Sequence, residues 1–165
     1  MSSIKCIIAA GGLGTRLQGF RDNQSTKILL KVNSKPMIIQ QLEQLISWGL
    51  NDFVIITNPS FDKLIKEETS QIREKYNIDY AIQPEQLGIS HALKQASSYV
   101  NDDDQIVFVL GDNFFGNNPL GNIDFDDLLS TNKNSIIFTK EVINPEEFGV
   151  AVVDSSSKVI QIEEK

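Results

Sequence analysis

The segment IKCIIAAGGLG occupies residues 4–14 and indicates the architecture of the chain. Ile4 to Ala10 is an apolar run typical of a strand that is buried on both faces, and it ends abruptly at Gly11-Gly12-Leu13-Gly14. Glycines at such a point let the backbone approach a ligand and direct several N–H groups at phosphate oxygens. The segment therefore predicts a buried strand followed by an anion-binding loop.

Helix-like and strand-like segments alternate after this loop. Apolar residues recur at three- and four-residue spacing in three segments, which predicts helices over 36–49, 61–76 and 89–100. A buried strand is predicted over 53–57 and a further strand over 78–82, and an unbroken apolar run predicts another strand over 106–110. The alternation is typical of an α/β fold whose mostly parallel sheet is covered by helices on both sides.

The second half of the chain departs from this alternation. A short helix is predicted near 125–129, and strands are predicted over 135–142, 149–153 and 159–163 with no helix between them. We therefore expect a mixed, mostly parallel sheet, with ligands bound outside the carboxyl ends of its strands. The glycine-rich loop and Asp112, which follows the strand over 106–110, would both lie at that edge.

Length and composition limit the class of protein. The 165 residues, 41% of them apolar, suit one folded core, and no repeat or linker marks a second domain. The chain has no export signal at its start and no apolar run of 18 residues, which favours a cytoplasmic protein without membrane association. Cys6 is expected to be buried and inert. Because Lys165 directly follows a strand-like segment, we expect a truncated chain.

The charge of the chain is unevenly distributed. A net charge of -7 would repel a polyanionic backbone and disfavours nucleic-acid binding. Residues 1–35 hold six basic side chains and one acidic side chain, a local charge of +5, whereas residues 36–165 carry -12. We interpret the basic region as a site for a small polyphosphate, and chance clustering on a solvated surface is the alternative.

Two common phosphate-binding motifs are excluded at the glycine-rich loop. The dinucleotide fingerprint needs a third glycine where the chain has Leu17, and the Walker loop needs Gly-Lys-Ser/Thr. Asp112 offers a hard oxygen ligand that could hold magnesium against phosphates, although a simple Asp-Asn turn at a strand end would look the same. Gln83 follows the third strand, and its amide presents both a donor and an acceptor, as a pyrimidine edge requires.

Five motifs in this order resemble those of the sugar-1-phosphate nucleotidyltransferases. They are Gly11 to Leu17, Lys27 to Leu30, Lys35 to Ile38, Leu110 to Asn113, and Glu163 to Lys165. The resemblance spans the whole chain and is strongest to the glucose-1-phosphate thymidylyltransferases. It implies a three-layer α/β/α, Rossmann-like core of the glycosyltransferase-A type. It also implies the transfer of a nucleotidyl group from dTTP or UTP to a sugar-1-phosphate, with Mg²⁺ as cofactor and pyrophosphate as product.

The resemblance further implies a role for each matching residue. The residues that would bind the nucleotide are Gly11, Gly12, Gly14, Thr15, Gln83 and Gly88. The residues that would neutralise charge and carry catalysis are Arg16, Lys27, Asp112 and Lys165, with the metal on Asp112. The sugar would contact Gly149 and Glu164. His91, the only histidine, is expected to be structural because this chemistry needs no imidazole.

The chain departs from the family pattern at several positions. Lys31 stands where the family usually has proline, and Gln18-Gly19-Phe20 replaces the proline that normally follows the loop. Phe148 replaces a frequent tyrosine, which removes a hydroxyl group that could bond to the sugar. The second metal-binding aspartate of the family has no counterpart before Lys165, and a single carboxylate would hold magnesium less firmly.

Other functions therefore stay open at this point. A catalytically silent nucleotide-sugar-binding regulatory subunit would keep the same fold, and a uridylyltransferase specific for UTP would keep the same motifs. A glycosyltransferase of related architecture should lack the Gly-Thr-Arg loop. The sequence does not distinguish dTTP from UTP, does not name the sugar, and leaves a homo-oligomer open.

Overall fold

A computed structural model of the chain describes residues 4–12, 26–123 and 135–163. The chain divides into two compact units, Met1–Asn118 and Pro119–Lys165. The short helix predicted near 125–129 lies outside the described residues. Within the described ranges, no helix is long and apolar enough to cross a membrane.

The first unit is built on a four-stranded parallel sheet. In chain order its strands are β1 (Ile4–Ala9), β4 (Asp52–Thr57), β5 (Asn77–Ile82) and β6 (Gln105–Leu110). Their order across the sheet is β5-β4-β1-β6, and every neighbouring pair is parallel. The chain therefore starts in the middle of the sheet at β1 and runs through β4 to β5 at one edge. The connection from β5 to β6 then crosses to the opposite edge.

A small antiparallel hairpin and three helices surround this sheet. The hairpin pairs β2 (Lys31–Val32) with β3 (Lys35–Pro36), and its turn residues Asn33 and Ser34 have positive φ angles. The helices are α1 (Met37–Ser47), α2 (Asp62–Arg73) and α3 (Ile89–Gln95). Short 3₁₀ helices cover Lys27–Leu29 and Ser97–Tyr99. Helix α1 ends before Gly49, whose φ of 91° lets the chain turn away.

The helices cover both faces of the sheet. On one face, Ile7, Val54 and Ile56 pack with Ala92 and Ala96, so α3 lies on this side. On the other face, the hydroxyl groups of Thr69 in α2 and Tyr80 in β5 lie 2.6 Å apart. Since α1 packs against α2, these two helices share that side. The expected three-layer α/β architecture is confirmed.

Several predicted elements differ from the structure. The third helix ends as an α-helix at Gln95 instead of continuing to residue 100. The strand predicted over 135–142 is wrong, because these residues form no ladder and are exposed. Its apolar run has the composition of a strand, but a strand needs a partner to satisfy its backbone groups. The antiparallel strands of the second half belong to a separate two-stranded sheet, not to the main sheet.

That two-stranded sheet belongs to the second unit. It pairs β7 (Val150–Val153) with β8 (Val159–Glu163). In the connecting turn, the Asp154 carboxylate accepts hydrogen bonds from the Ser156 hydroxyl group and from backbone N–H groups, and these bonds lower its pKa. None of the described residues 135–163 is buried, and nine large apolar side chains among them are exposed. This part of the chain therefore holds no core of its own among its described residues.

The environment of Cys6 leads to a first prediction. The side chain is fully buried in β1, and burial raises the pKa of its thiol to about 12. Because only the thiolate reacts with a disulfide reagent, we expect Cys6 in the native protein to resist Ellman's reagent at pH 8 and to react only after unfolding in denaturant. Rapid labelling without denaturant would contradict the burial of β1.

Candidate functional site

A cleft opens at the carboxyl ends of the strands in the first unit. Its volume is about 370 Å³. Six of the residues predicted to form the site line it, namely Gly11, Gly12, Lys27, Gln83, Gly88 and Asp112. The remaining lining residues are Ala9, Ala10, Ile28, Gln86, Ile89, Ala92 and Leu110. The fold therefore brings together residues that are up to 103 positions apart, from Ala9 to Asp112.

The sheet itself carries the cleft residues into place. Beyond the strand ends, the backbone N–H groups of Ala10, Gln83 and Gly111 each donate to a neighbouring strand, over 2.8 to 2.9 Å. The residues after β1, β5 and β6 thus continue the hydrogen-bonded pattern of the sheet. Because the strands are parallel, these continuations meet at one edge, as expected for a ligand site in an open α/β sheet.

Lys27 and Asp112 form an ion pair at the edge of the cleft. The Lys27 ammonium group lies 2.6 Å from Asp112 Oδ2, and each side chain is 36% exposed. Lys27 begins a 3₁₀ helix, whereas Asp112 lies in the turn after β6. The pair places a cation and a hard oxygen ligand side by side, with both accessible to solvent and to a ligand.

A tight turn presents Asp112. The backbone N–H of Asn113 donates to the Leu110 carbonyl over 3.0 Å, so Gly111 and Asp112 are the two central residues of a β-turn. A methyl group at position 111 would lie 2.9 Å from the Ala9 carbonyl oxygen and 3.2 Å from Ile28 Cγ2. Glycine is required here because there is no space for a side chain.

Side chains hold the carbonyl groups of the first two loop glycines. The Gly11 carbonyl accepts from Asn58 Nδ2 at 2.8 Å and from Gln86 Nε2 at 3.0 Å. The Gly12 carbonyl accepts from the Thr26 hydroxyl group at 3.0 Å. In a trans peptide the C=O and N–H groups point in opposite directions. Fixing the Gly11 carbonyl therefore fixes the direction of the Gly12 N–H as well.

Sequence reasoning did not identify Asn58, Gln86 or Thr26 as parts of the site. Asn58 had a usable signal, since it directly follows buried strand β4, just as Gln83 follows β5. Gln86 and Thr26 gave no such signal in the sequence, because the glycines whose carbonyl groups they bind lie 75 and 14 residues away in the chain.

Gln83 is buried in the wall of the cleft, with 4% of its surface exposed. Its Nε2 donates to the Gly88 carbonyl over 3.2 Å, and its Oε1 faces the Cα of Gly11. Gly88 has φ 93° and ψ -178°, a conformation that essentially only glycine adopts. Gln83 and Gly88, which were predicted together from the sequence, are thus in direct contact.

His91 supports this wall from α3. Its Nδ1 lies 3.1 Å from the Glu85 carbonyl oxygen, and its Nε2 lies 3.1 Å from Gln95 Nε2. Both ring nitrogens of His91 therefore have partners within the first unit. The Gln83 amide nitrogen lies 3.3 Å from the same Nδ1. These contacts fit the structural role that the sequence predicts.

The N-terminal basic residues do not form a single patch among the described residues. Lys5 is buried and pairs with Asp52 over 2.7 Å at the amino ends of their strands, away from the cleft. Lys35 pairs with Glu43 of α1 over 2.8 Å. Of the basic residues described between 1 and 35, only Lys27 lines the cleft. Lys5 is therefore used away from the cleft, and Lys35 does not line it.

The remaining predicted site residues are not part of this cleft as described. Gly149 lies in the second unit, just before β7. The following predicted residues lie outside the described ranges: Gly14, Thr15, Arg16, Glu164 and Lys165. Their roles stay predictions.

One described carboxylate of the cleft could bind Mg²⁺. Mg²⁺ is commonly bound by one or two carboxylates together with phosphate oxygens of a substrate. Asp112 supplies one accessible carboxylate. In the described ranges, no group of three or more His, Cys, Asp or Glu side chains could hold a metal ion. As the described residues stand, Asp112 fits a cation that is shared with a ligand's phosphates.

Comparison with protein-family models matches residues 5–165 to the family described as nucleotidyl transferase. This chain belongs to the nucleotidyl transferase family. The family match includes all the described residues that line the cleft. The resemblance inferred from the ordered motifs is thereby confirmed.

Curated proteins similar to this chain include several glucose-1-phosphate thymidylyltransferases. The glucose-1-phosphate thymidylyltransferase of Streptomyces antibioticus is 32% identical, over 98% of this chain and 45% of that protein. The enzyme of the same name from Neisseria meningitidis is 33% identical, over 98% of this chain and 56% of that protein. The bifunctional protein GlmU of Clostridioides difficile is 29% identical. The chain spans about half the length of the first relatives it matches.

Solved structures agree with the fold of this chain. A candidate glucose-1-phosphate thymidylyltransferase from Bacillus anthracis, in complex with a sucrose, has a TM-score of 0.78 and 29% identity, and the match covers 98% of this chain and 64% of that one. HddC from Yersinia pseudotuberculosis, complexed with GMP-PN, has a TM-score of 0.70 and 25% identity, over 98% of this chain and 69% of that one.

Proposed function

We propose that the protein containing this chain transfers a nucleotidyl group from dTTP or UTP to a sugar-1-phosphate, most readily glucose-1-phosphate. An oxygen of the sugar phosphate attacks the α-phosphorus of the nucleotide. The bond between that phosphorus and the oxygen leading to the β-phosphate breaks, and pyrophosphate leaves. The products are a nucleotide sugar and pyrophosphate.

One observation carries this proposal. The Lys27–Asp112 pair lies in the same cleft as the glycine-rich segment and the buried Gln83 amide. A nucleoside triphosphate needs all three features, because it presents a base edge, a chain of anionic oxygens and a bound cation. Phosphoryl and nucleotidyl transfer depend mainly on positioning and on neutralising charge, which the cleft residues can supply without a nucleophilic side chain.

The described residues of the cleft have different roles in the proposed reaction. Gly11 and Gly12 allow the phosphates to approach the backbone, and the tethered Gly11 carbonyl keeps the Gly12 N–H in a fixed direction. Gln83 and Gly88 would contact the pyrimidine. Lys27 would turn from Asp112 towards the phosphates and neutralise the departing pyrophosphate. Mg²⁺, when bound on Asp112 together with phosphate oxygens, would supply further neutralisation of the charge that develops on them.

Roles for the other residues follow from the family resemblance. We assign Gly14 and Thr15 to the phosphates, and Arg16 and Lys165 to charge neutralisation. Gly149 and Glu164 are assigned to the sugar. A homo-oligomer and a cytoplasmic location remain parts of the same proposal.

The decisive experiment measures pyrophosphate release by the full-length protein with Mg²⁺. Each of dTTP, UTP, ATP and GTP is combined with a panel of sugar-1-phosphates that includes glucose-1-phosphate. We expect release with dTTP or UTP, and the preferred pair identifies both substrates. Binding of these nucleotides without release from any pair would instead identify a regulatory subunit. Release with only a purine nucleotide would overturn the assignment of Gln83.

A further inference from the structure

Two adjacent glutamines of α1 make parallel sets of contacts. Gln40 Nε2 donates to the carbonyl groups of Val32 and Lys35, at 2.8 and 2.7 Å, and so bridges the turn of the small hairpin. Gln41 Nε2 donates to the carbonyl groups of Leu110 and Asn113, at 2.8 and 2.9 Å. Gln41 therefore bridges the two ends of the turn whose central residues are Gly111 and Asp112.

The burial of Gln41 makes its polar side chain costly except where its donated bonds offset that cost. Gln41 is only 1% exposed, and its Oε1 has no hydrogen-bond partner among the described residues. A buried acceptor without a partner is destabilising, and an apolar side chain of the same shape would avoid that cost. Gln41 also lies in the stripe formed by Ile38, Leu42 and Leu45, where an apolar residue would ordinarily pack. The benefit of the glutamine lies in its two donated bonds.

A third glutamine extends the same connection. Gln44 lies one turn further along α1, donates to the Phe115 carbonyl over 2.7 Å and accepts from the Phe115 N–H over 3.3 Å. Trp48 packs edge-to-face on the Phe115 ring with centroids 5.5 Å apart. Helix α1 thus holds the backbone from residue 110 to residue 115 along its length. The turn that carries Asp112 is attached to a helix whose own position is set by the core.

We infer that Gln41 is a positioning residue for the reaction, because it fixes the turn that presents the Asp112 carboxylate to the ligand's cation. This inference rests on the proposed function. The bridged turn restricts Asp112 to one place beside Lys27. Without the bridge, the turn keeps its Asn113-to-Leu110 bond but loses the two bonds that attach it directly to α1, so the carboxylate moves relative to Gly11 and Gly12.

The test compares Gln41→Met with Gln40→Met in the full-length protein. Both replacements remove one amide group that bridges a turn, and both keep the length of the side chain on the same helix. Only Gln41 contacts the turn of Asp112. Neither hydrogen-bond partner of Gln40 lines the cleft, so Gln40→Met is the matched control for the loss of such a bridge.

The first readout is hydrogen exchange of the Asn113 amide, measured by NMR without any ligand. We expect exchange in Gln41→Met to be about tenfold faster than in the wild type, because the turn is released from α1. Gln40→Met should leave it unchanged. Equal exchange in all three proteins would overturn the inference, whatever the protein's activity proves to be.

The second readout is the Mg²⁺ dependence of pyrophosphate release, corrected for the fraction of folded protein. We expect Gln41→Met to lower kcat by about 10-fold to 100-fold and to raise the Mg²⁺ concentration that gives half-maximal rate, because small displacements of a reacting group are costly. A general loss of folding would lower the amount of active protein without changing the Mg²⁺ dependence, and that outcome would contradict a positioning role. A wild type that releases no pyrophosphate would refute the proposed function, while the exchange measurement would still report on the turn.

Discussion

Replacing Asp112 with asparagine should lower the rate of pyrophosphate release by about 100-fold to 1000-fold, because the cleft loses the only carboxylate described there that can share a cation with the phosphates. The same change should hardly affect folding. The Lys27–Asp112 pair is 36% exposed on each side, and ion pairs at such exposed positions stabilise by about 1 kcal/mol or less. This variant should therefore lose most of its activity and keep nearly the stability of the wild type.

The measurements are turnover at saturating nucleotide and Mg²⁺, and urea unfolding followed by circular dichroism. Asp102→Asn is a suitable control, since Asp102 is an exposed carboxylate in the turn that precedes β6, at the other end of the strand from Asp112. Combining Asp112→Asn with Lys27→Met should give less than the product of the single effects if the two residues act on the same phosphates. Turnover by Asp112→Asn within a few-fold of the wild type would remove Asp112 from the reaction.

Replacing Gly111 with alanine should destabilise the protein by about 2–3 kcal/mol, as expected for overpacking of a tight core site. The added methyl group would meet the Ala9 carbonyl oxygen at 2.9 Å, and this oxygen also accepts the Gly111 N–H that continues the sheet. Neither strand end can move alone, because β1 and β6 pair along their whole length. The turn that carries Asp112 should be displaced, and pyrophosphate release should fall with it.

Gly116→Ala is the matched control for this second prediction. A methyl group at position 116 would meet no atom within 4 Å, and the residue does not line the cleft. The free energy of unfolding of the Gly116→Ala variant should stay within about 1 kcal/mol of the wild type, since the replacement chiefly restricts the unfolded chain. Chemical denaturation measures the free energy of unfolding of Gly111→Ala and Gly116→Ala. Equal values would mean that the close approach of β1 and β6 is not as described.

Local patterns were sufficient for much of the first unit. The apolar runs of the main sheet were recognisable from residue type, most clearly those of β1 and β4, which are buried along nearly their whole length. The same reasoning placed Asp112 and Gln83 at the carboxyl edge, since each follows one of these runs directly. It failed at 135–142, where the composition favours a strand but the described residues provide no partner. The interpretation of the basic region as a polyphosphate site failed for Lys5, which is buried and pairs with the partly buried Asp52.

The sequence by itself determined the strands of the sheet, the glycine-rich segment after the first of them and the membership of a family, because all three depend on residue type and order along the chain. Only the tertiary structure decided that Lys27 pairs with Asp112, that Asn58 and Gln86 hold Gly11, and that Gln41 holds the turn of Asp112. These contacts join residues 47 to 85 positions apart. No local periodicity encodes such pairs, because they form only where the packing of helices on the sheet brings distant side chains together.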